Sequence, residues 1–234
     1  MRPEACAAAR EALPVEVVSP SPDAAIREGA LEGVLTAVGE LGYRGTSVRT
    51  VLEYSGGHRK QFYEYFDSLE DCFVQAYGAW IDRLGADLLE AALAAEGWRS
   101  SVRAGLVELL GFVERRPEVA RALFVEVQVA GGRALARHEE ATERLAGLLD
   151  SVRAGIEPDA QPPGTTGAFV VGGVEACLCA ALSEGEVSRV WDALPELTQL
   201  IVGSYLGGEA AEEDFEAARE LLARDRARLG GEAR

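Results

Sequence analysis

His58-Arg59-Lys60-Gln61 is the run in this 234-residue chain whose residue types and spacing point most directly to a chemistry. Two cations, an imidazole and an amide in succession can contact the phosphates and base edges of duplex DNA. Lys60 is the single lysine among 23 Lys and Arg residues, and His58 is one of two histidines. On composition alone such a run is equally a solvated surface turn. The flanking residues favour the first reading. The run follows Ser55-Gly56-Gly57 and leads into Phe62-Tyr63-Glu64-Tyr65-Phe66. A helix beginning near His58 turns Phe62 and Phe66, four residues apart, toward a core, and leaves the cations outside with the Tyr63 and Tyr65 hydroxyls free for phosphate.

Two further elements are needed to hold that helix. Thr46 and Ser47 can cap a short helix with Val48, Val51 and Leu52 inward, and the double glycine ends it within a few residues of the next start. Two short helices joined by a glycine turn form a helix-turn-helix candidate, whose second helix lies in the major groove. Upstream, from about Asp23, Leu31, Val34, Leu35, Val38 and Leu41 recur at helical spacing and mark one buried face of a first helix ending at Gly42. Residues 1–22 hold four of the nine prolines and no apolar periodicity, so they are expected to form a flexible N-terminal arm.

Residues 26–77 resemble the DNA-binding domain of the TetR family of transcriptional regulators. The resemblance rests on Leu41-Gly42-Tyr43, Gly45-Thr46-Ser47-Val48-Arg49, Gly56 and Phe62-Tyr63-x-Tyr65-Phe66, with Ser68 and Glu70 following. Gly57, Leu52 and Leu69 depart from the usual pattern. The resemblance implies an all-α fold with an N-terminal three-helix helix-turn-helix domain (residues 23–67) and a larger C-terminal helical domain (68–234) for ligand binding and dimerisation. It implies a homodimer on a palindromic double-stranded DNA operator, in most such proteins a repressor, released by a small-molecule effector. Arg49, His58, Arg59, Lys60 and Gln61 would then contact bases or their surroundings, and Arg44, Thr46, Ser47, Tyr63 and Tyr65 would hold phosphates.

Downstream, Asp67 or Ser68 can cap a long helix with Cys72, Phe73, Ala76, Trp80, Leu84 and Leu88 along one side, running to about Ala95. Helices are expected over 98–116, from about Glu118 through Ala130, and from about Ala134 to Ala154, before a proline-rich loop at 155–164. The segment 165–184 presents Gly172, Ala176, Cys179 and Ser183 at helical spacing, and 187–206 follows, with Pro195 kinking or restarting it. These two helices either pair with their symmetry mates in a homodimer or are internal core. Residues 209–229 read as a charged lid helix packed by Phe215, Leu221 and Leu222. Phe112, Phe124, Gln128 and Phe169 are candidate lining residues of an apolar effector pocket. Glu175, a carboxylate in the most apolar segment, needs water, a partner or a ligand, and is the fifth pocket candidate.

The net charge of −16 argues against a nonspecific polyanion binder. From Asp23 to Phe66 five bases face six acids, a net of −1, so the acidity lies almost wholly outside the reading head. No nucleophile elbow, phosphate-binding glycine loop, dinucleotide fingerprint or zinc spacing is present, so neither an enzyme nor a cofactor or metal site is expected. His138-Glu139-Glu140 with Glu143 reads as a solvated face. The most apolar window, 167–182, contains Glu175 and Gly172-Gly173, so no membrane span is expected, and without a hydrophobic leader the chain is expected in the cytoplasm. The competing functional class is a small-molecule-binding helical dimer that has lost sequence-specific DNA binding, for which the three departures and the acidic surface speak.

Overall fold

The structure, a computed structural model, describes residues 22–151, 156–157 and 161–232. Of the N-terminal arm only Pro22 is described, and it opens the first helix; the rest lies outside the described residues, as does part of the proline-rich loop. Ten α-helices, three 3-10 turns (Tyr43–Gly45, Glu126–Val129 and Val187–Ala193) and no strand are found among the described residues. The all-α expectation holds.

Helix α1 (Pro22–Leu41) buries Leu31, Val34, Leu35 and Val38, as their spacing requires. Leu41 does not join them and is 50% exposed. Gly42, at φ 77°, breaks the helix there and turns the last residue outward. A 3-10 turn (Tyr43–Gly45) leads to α2 (Val48–Ser55). Ser47 caps α2, its Oγ accepting the Thr50 N–H at 3.2 Å, and Gly56 ends it in the left-handed conformation. Helix α3 (Arg59–Tyr65) follows, with Phe62 and Phe66 buried and their rings 5.1 Å apart. Gly33 lets α1 approach α2 closely, since a Cβ there would stand 3.2 Å from the Val51 carbonyl oxygen.

Ser68 caps α4 (Leu69–Leu93), its Oγ accepting the Asp71 N–H at 3.1 Å. Helix α5 (Trp98–Arg115) packs along α4, and Pro117 occupies the first turn of α6 (Pro117–Phe124). Where one helix through Ala130 was expected, the α-helix stops at Phe124 and a 3-10 turn (Glu126–Val129) continues. Helix α7 (Gly132–Asp150) starts and ends earlier than its periodicity suggested.

Helix α8 (Thr166–Glu184) gives Val170, Val174, Leu178 and Leu182 to the core. It is long and apolar enough to cross a membrane by length and composition, with a mean hydropathy of 1.6, although the interruptions at Glu175 and Gly172-Gly173 argued against a span. A helix that lends one face to a bundle core passes the same test. The expected helix over 187–206 divides into a 3-10 turn (Val187–Ala193) and α9 (Leu194–Leu206), with Pro195 restarting it. Helix α10 (Gly208–Glu232) packs on α9. It is more than a solvated lid: Asp214 is fully buried and ion-paired with Arg99 and Arg103 of α5.

Cys72 is fully buried on α4, its Sγ donating to the Ala30 carbonyl, and burial pushes the thiol up to about 12. Thiolate is the reactive form, so Cys72 is expected to stay unmodified by iodoacetamide at neutral to mildly alkaline pH in the native protein and to react fully in denaturant. The mass of the peptide carrying Cys72 reads the result, and native-state labelling would contradict the placement of this residue.

Candidate nucleic-acid interface

The head is a three-helix unit in which α1 supports α2 and α3 from one side. Burial of Val51, Phe62 and Phe66 fixes the rotation of both short helices and so decides what faces outward. His58, Arg59 and Lys60 are all exposed, as are Arg44, Ser47, Arg49 and Tyr63. The Arg59 guanidinium carbon lies 5.7 Å from the centroid of the Tyr63 ring, which steadies the long side chain without neutralising it. Arg49 pairs with Glu53 at 2.9 Å, with both side chains well exposed. Such an i,i+4 pair contributes only about 0.3–0.5 kcal/mol, so a phosphate competes with Glu53 readily.

Three of the expected contact residues are placed differently from the rest. Thr46 is buried, and its hydroxyl donates to the Gly42 carbonyl at 2.9 Å, bracing the turn instead of facing a phosphate. Gln61 is half-buried, and its Oε1 accepts the His58 N–H at 3.3 Å, so the amide that was expected to read bases caps the start of α3. Tyr65 is half-buried, with its ring 6.3 Å from Phe66. At Gly57 a Cβ would stand at ordinary contact distance, 3.5 Å, from Leu52 Cδ2, so Leu52 occupies the side of the turn that the glycine leaves open.

The five pocket candidates are not gathered around one cavity. Phe112 and Phe124 are buried core, and the Phe112 ring lies 6.2 Å from Trp80. Gln128 is exposed, and Phe169 is 69% exposed on the outer side of α8. Their helical spacing placed all four on apolar segments without revealing which side faced inward. Glu175 does have a partner: its Oε1 lies 3.6 Å from His138 Nε2, and His138 Nδ1 is 3.0 Å from the Tyr77 hydroxyl. This corrects the reading of His138 as part of a solvated face, because it is buried while its neighbours Glu139 and Glu140 are exposed. Tyr77, from α4, is fully buried, and burial first, then the charge of Glu175, raises its hydroxyl pKa. The cluster joins α4, α7 and α8 in the middle of the larger body. An open cleft of about 530 Å³ lies elsewhere, bounded by Trp98, Arg99, Arg103, Leu206 and Asp214, and none of the five candidates lines it.

The geometry defines a helix-turn-helix head, exposed and cation-bearing, carried by a larger helical body. No protein-family model and no curated protein matches the chain. Among solved structures, the fatty acid degradation regulator FadR from Bacillus halodurans is similar over 79% of this chain and 97% of its own, at 12% identity and a TM-score of 0.68. TylP, a TetR regulator from Streptomyces fradiae, matches 86% of this chain and 98% of its own at 17% identity and a TM-score of 0.62. A TetR-like transcriptional regulator from Rhodococcus sp. RHA1 matches 79% and 97% at 19% identity and a TM-score of 0.60. The chain has the fold of the TetR-family regulators.

Proposed function

We propose that this protein is a TetR-type transcriptional regulator, a cytoplasmic repressor that binds a palindromic operator as a homodimer and releases it when a small molecule enters the helical body. The observation that carries the reading is α3: Phe62 within it and Phe66 at its end are buried while His58, Arg59 and Lys60 face solvent on a head of this fold. Dimerisation is supported by α8, which exposes Ala168, Phe169, Gly172, Ala176 and Ala180 along one side of a mostly apolar helix. Small residues at that spacing admit a second helix closely, and the exposed Phe169 gives it apolar area to cover. The effector is read by the Tyr77–His138–Glu175 cluster, a polar contact between three helices whose rearrangement can favour one dimer geometry over another.

Selection of binding sites from random duplex DNA by the purified protein, with affinity then measured across a salt series, tests the reading. The expected outcome is enrichment of an inverted repeat. A dimer making about six to ten phosphate contacts should lose roughly a thousandfold or more in affinity between about 50 and 200 mM salt. A folded dimer that enriches no sequence at low salt would instead be the helical ligand-binding module that no longer reads DNA.

A further inference from the structure

Glu126 is a carboxylate only 9% exposed, on the 3-10 turn that follows α6. A buried carboxylate is costly unless its oxygens are matched, and both of these are. Oε2 accepts the backbone N–H of Tyr43 at 2.9 Å, and Oε1 lies 3.5 Å from Arg121 Nη2. Tyr43 opens the turn that joins α1 to α2, so the bond crosses from the body to the joint of the head. Gly42 suits the turn through its backbone, at φ 77°, a conformation that side chains avoid; a Cβ there would meet Oε2 only at ordinary contact distance, 3.5 Å. Arg121, on α6, also donates through Nη1 to the Leu182 carbonyl at 3.1 Å. That carbonyl is among the last of α8, which the helix itself cannot satisfy. Two side chains thus link the C-terminal end of α8, through α6, to the turn in front of α2. Among the described residues, the Cys72 thiol also reaches across to the Ala30 carbonyl from within the core, whereas Arg116 and Glu32, 2.8 Å apart, are each about half exposed.

We infer that Glu126 is a positioning residue for DNA recognition: it fixes the angle of the head on the body, with Arg121 tying that angle to the end of α8. The inference rests on the reading of α2–α3 as a DNA head in a dimer. Its consequence is spacing. A dimer whose heads are clamped addresses one separation of half-sites, and a dimer whose heads swing tolerates several.

The full-length protein, as wild type, Glu126→Ala and Glu126→Gln, tests this by amide exchange and by binding to the selected repeat and to versions lengthened by one base pair between half-sites. In Glu126→Ala the Tyr43 amide should exchange about tenfold faster while the core amides of α4 hold. Discrimination between the two spacings should fall by about fivefold or more. Glu126→Gln keeps an oxygen for the Tyr43 N–H, so it should retain most of that discrimination. Unchanged Tyr43 exchange with unchanged spacing preference in Glu126→Ala overturns the inference, and so does a uniform rise in exchange through α1 to α4, which is loss of stability alone. If the wild type selects no repeat, the regulator reading fails and the spacing claim with it, while Tyr43 exchange still decides whether Glu126 holds the turn.

Discussion

The double variant Arg59→Ala/Lys60→Ala is expected to lose operator affinity by about a hundredfold or more while remaining a folded dimer. Both side chains are exposed on the first turn of α3, and neither has an ion-pair partner among the described residues. Removing them therefore uncovers no buried charge, and alanine is at least as good a helix former as either. A cationic contact to a base edge is worth about 1–3 kcal/mol, and a phosphate contact weakens binding to all sequences while reducing the salt slope by about one. Two such losses per head, repeated in both heads of a dimer, place the total beyond about 3 kcal/mol. The salt series adds a second readout: a shallower slope shows that phosphate contacts were removed, and an unchanged slope with relaxed sequence preference shows that base contacts were. Arg219→Ala, on α10 and engaged with Glu216, is the matched control that should bind as the wild type does. Binding of the double variant at wild-type strength would refute the assignment of α3 as the reading helix.

The head was legible because its signals are local. A serine before an apolar helix face, a glycine in the left-handed conformation and two phenylalanines four apart each act within one turn of chain, and Ser47, Gly56, Phe62 and Phe66 do what their spacing implied. The body was legible in helix number and order but not in its polar interior. His138 and Asp214 lie in segments crowded with charge, where period alone cannot say which acid or imidazole turns inward, and Glu126 stands alone in an apolar run that does not show what it will meet. Their partners are distant in the chain, 83 residues away for Tyr43 and Glu126 and 61 for Tyr77 and His138. The same limit explains Phe169, which is apolar and helical like its neighbours yet faces out. It also explains Thr46 and Gln61, whose polar groups suit a phosphate or a base as well as the backbone atoms they bind.

Two glycine substitutions of opposite sign test how the head is seated on the body. In isolation, replacing glycine by alanine inside a helix stabilises by about 1 kcal/mol. Gly85, in the interior of α4, should show that gain, because a Cβ there meets nothing within 4 Å. Gly39, on α1, should show the reverse. A Cβ there would fall 2.0 Å from the Glu118 carbonyl oxygen and 2.5 Å from its carbon, atoms of the first turn of α6 that cannot swing aside as a side-chain tip does. Inserting a methyl group into a packed contact costs about 1–3 kcal/mol and more where backbone must move, which outweighs the gain in helix propensity. Gly39→Ala is therefore expected to destabilise by about 2 kcal/mol net, lowering the melting temperature by about 4–8 °C, whereas Gly85→Ala raises it by a few degrees. Because α1 carries α2 and α3, the displacement at Gly39 also shifts the reading helix, so operator affinity should fall in Gly39→Ala and stay unchanged in Gly85→Ala. Equal thermal stability of Gly39→Ala and the wild type would mean that α1 and α6 are not in backbone contact, and the head would then be free of the seat that sets its angle.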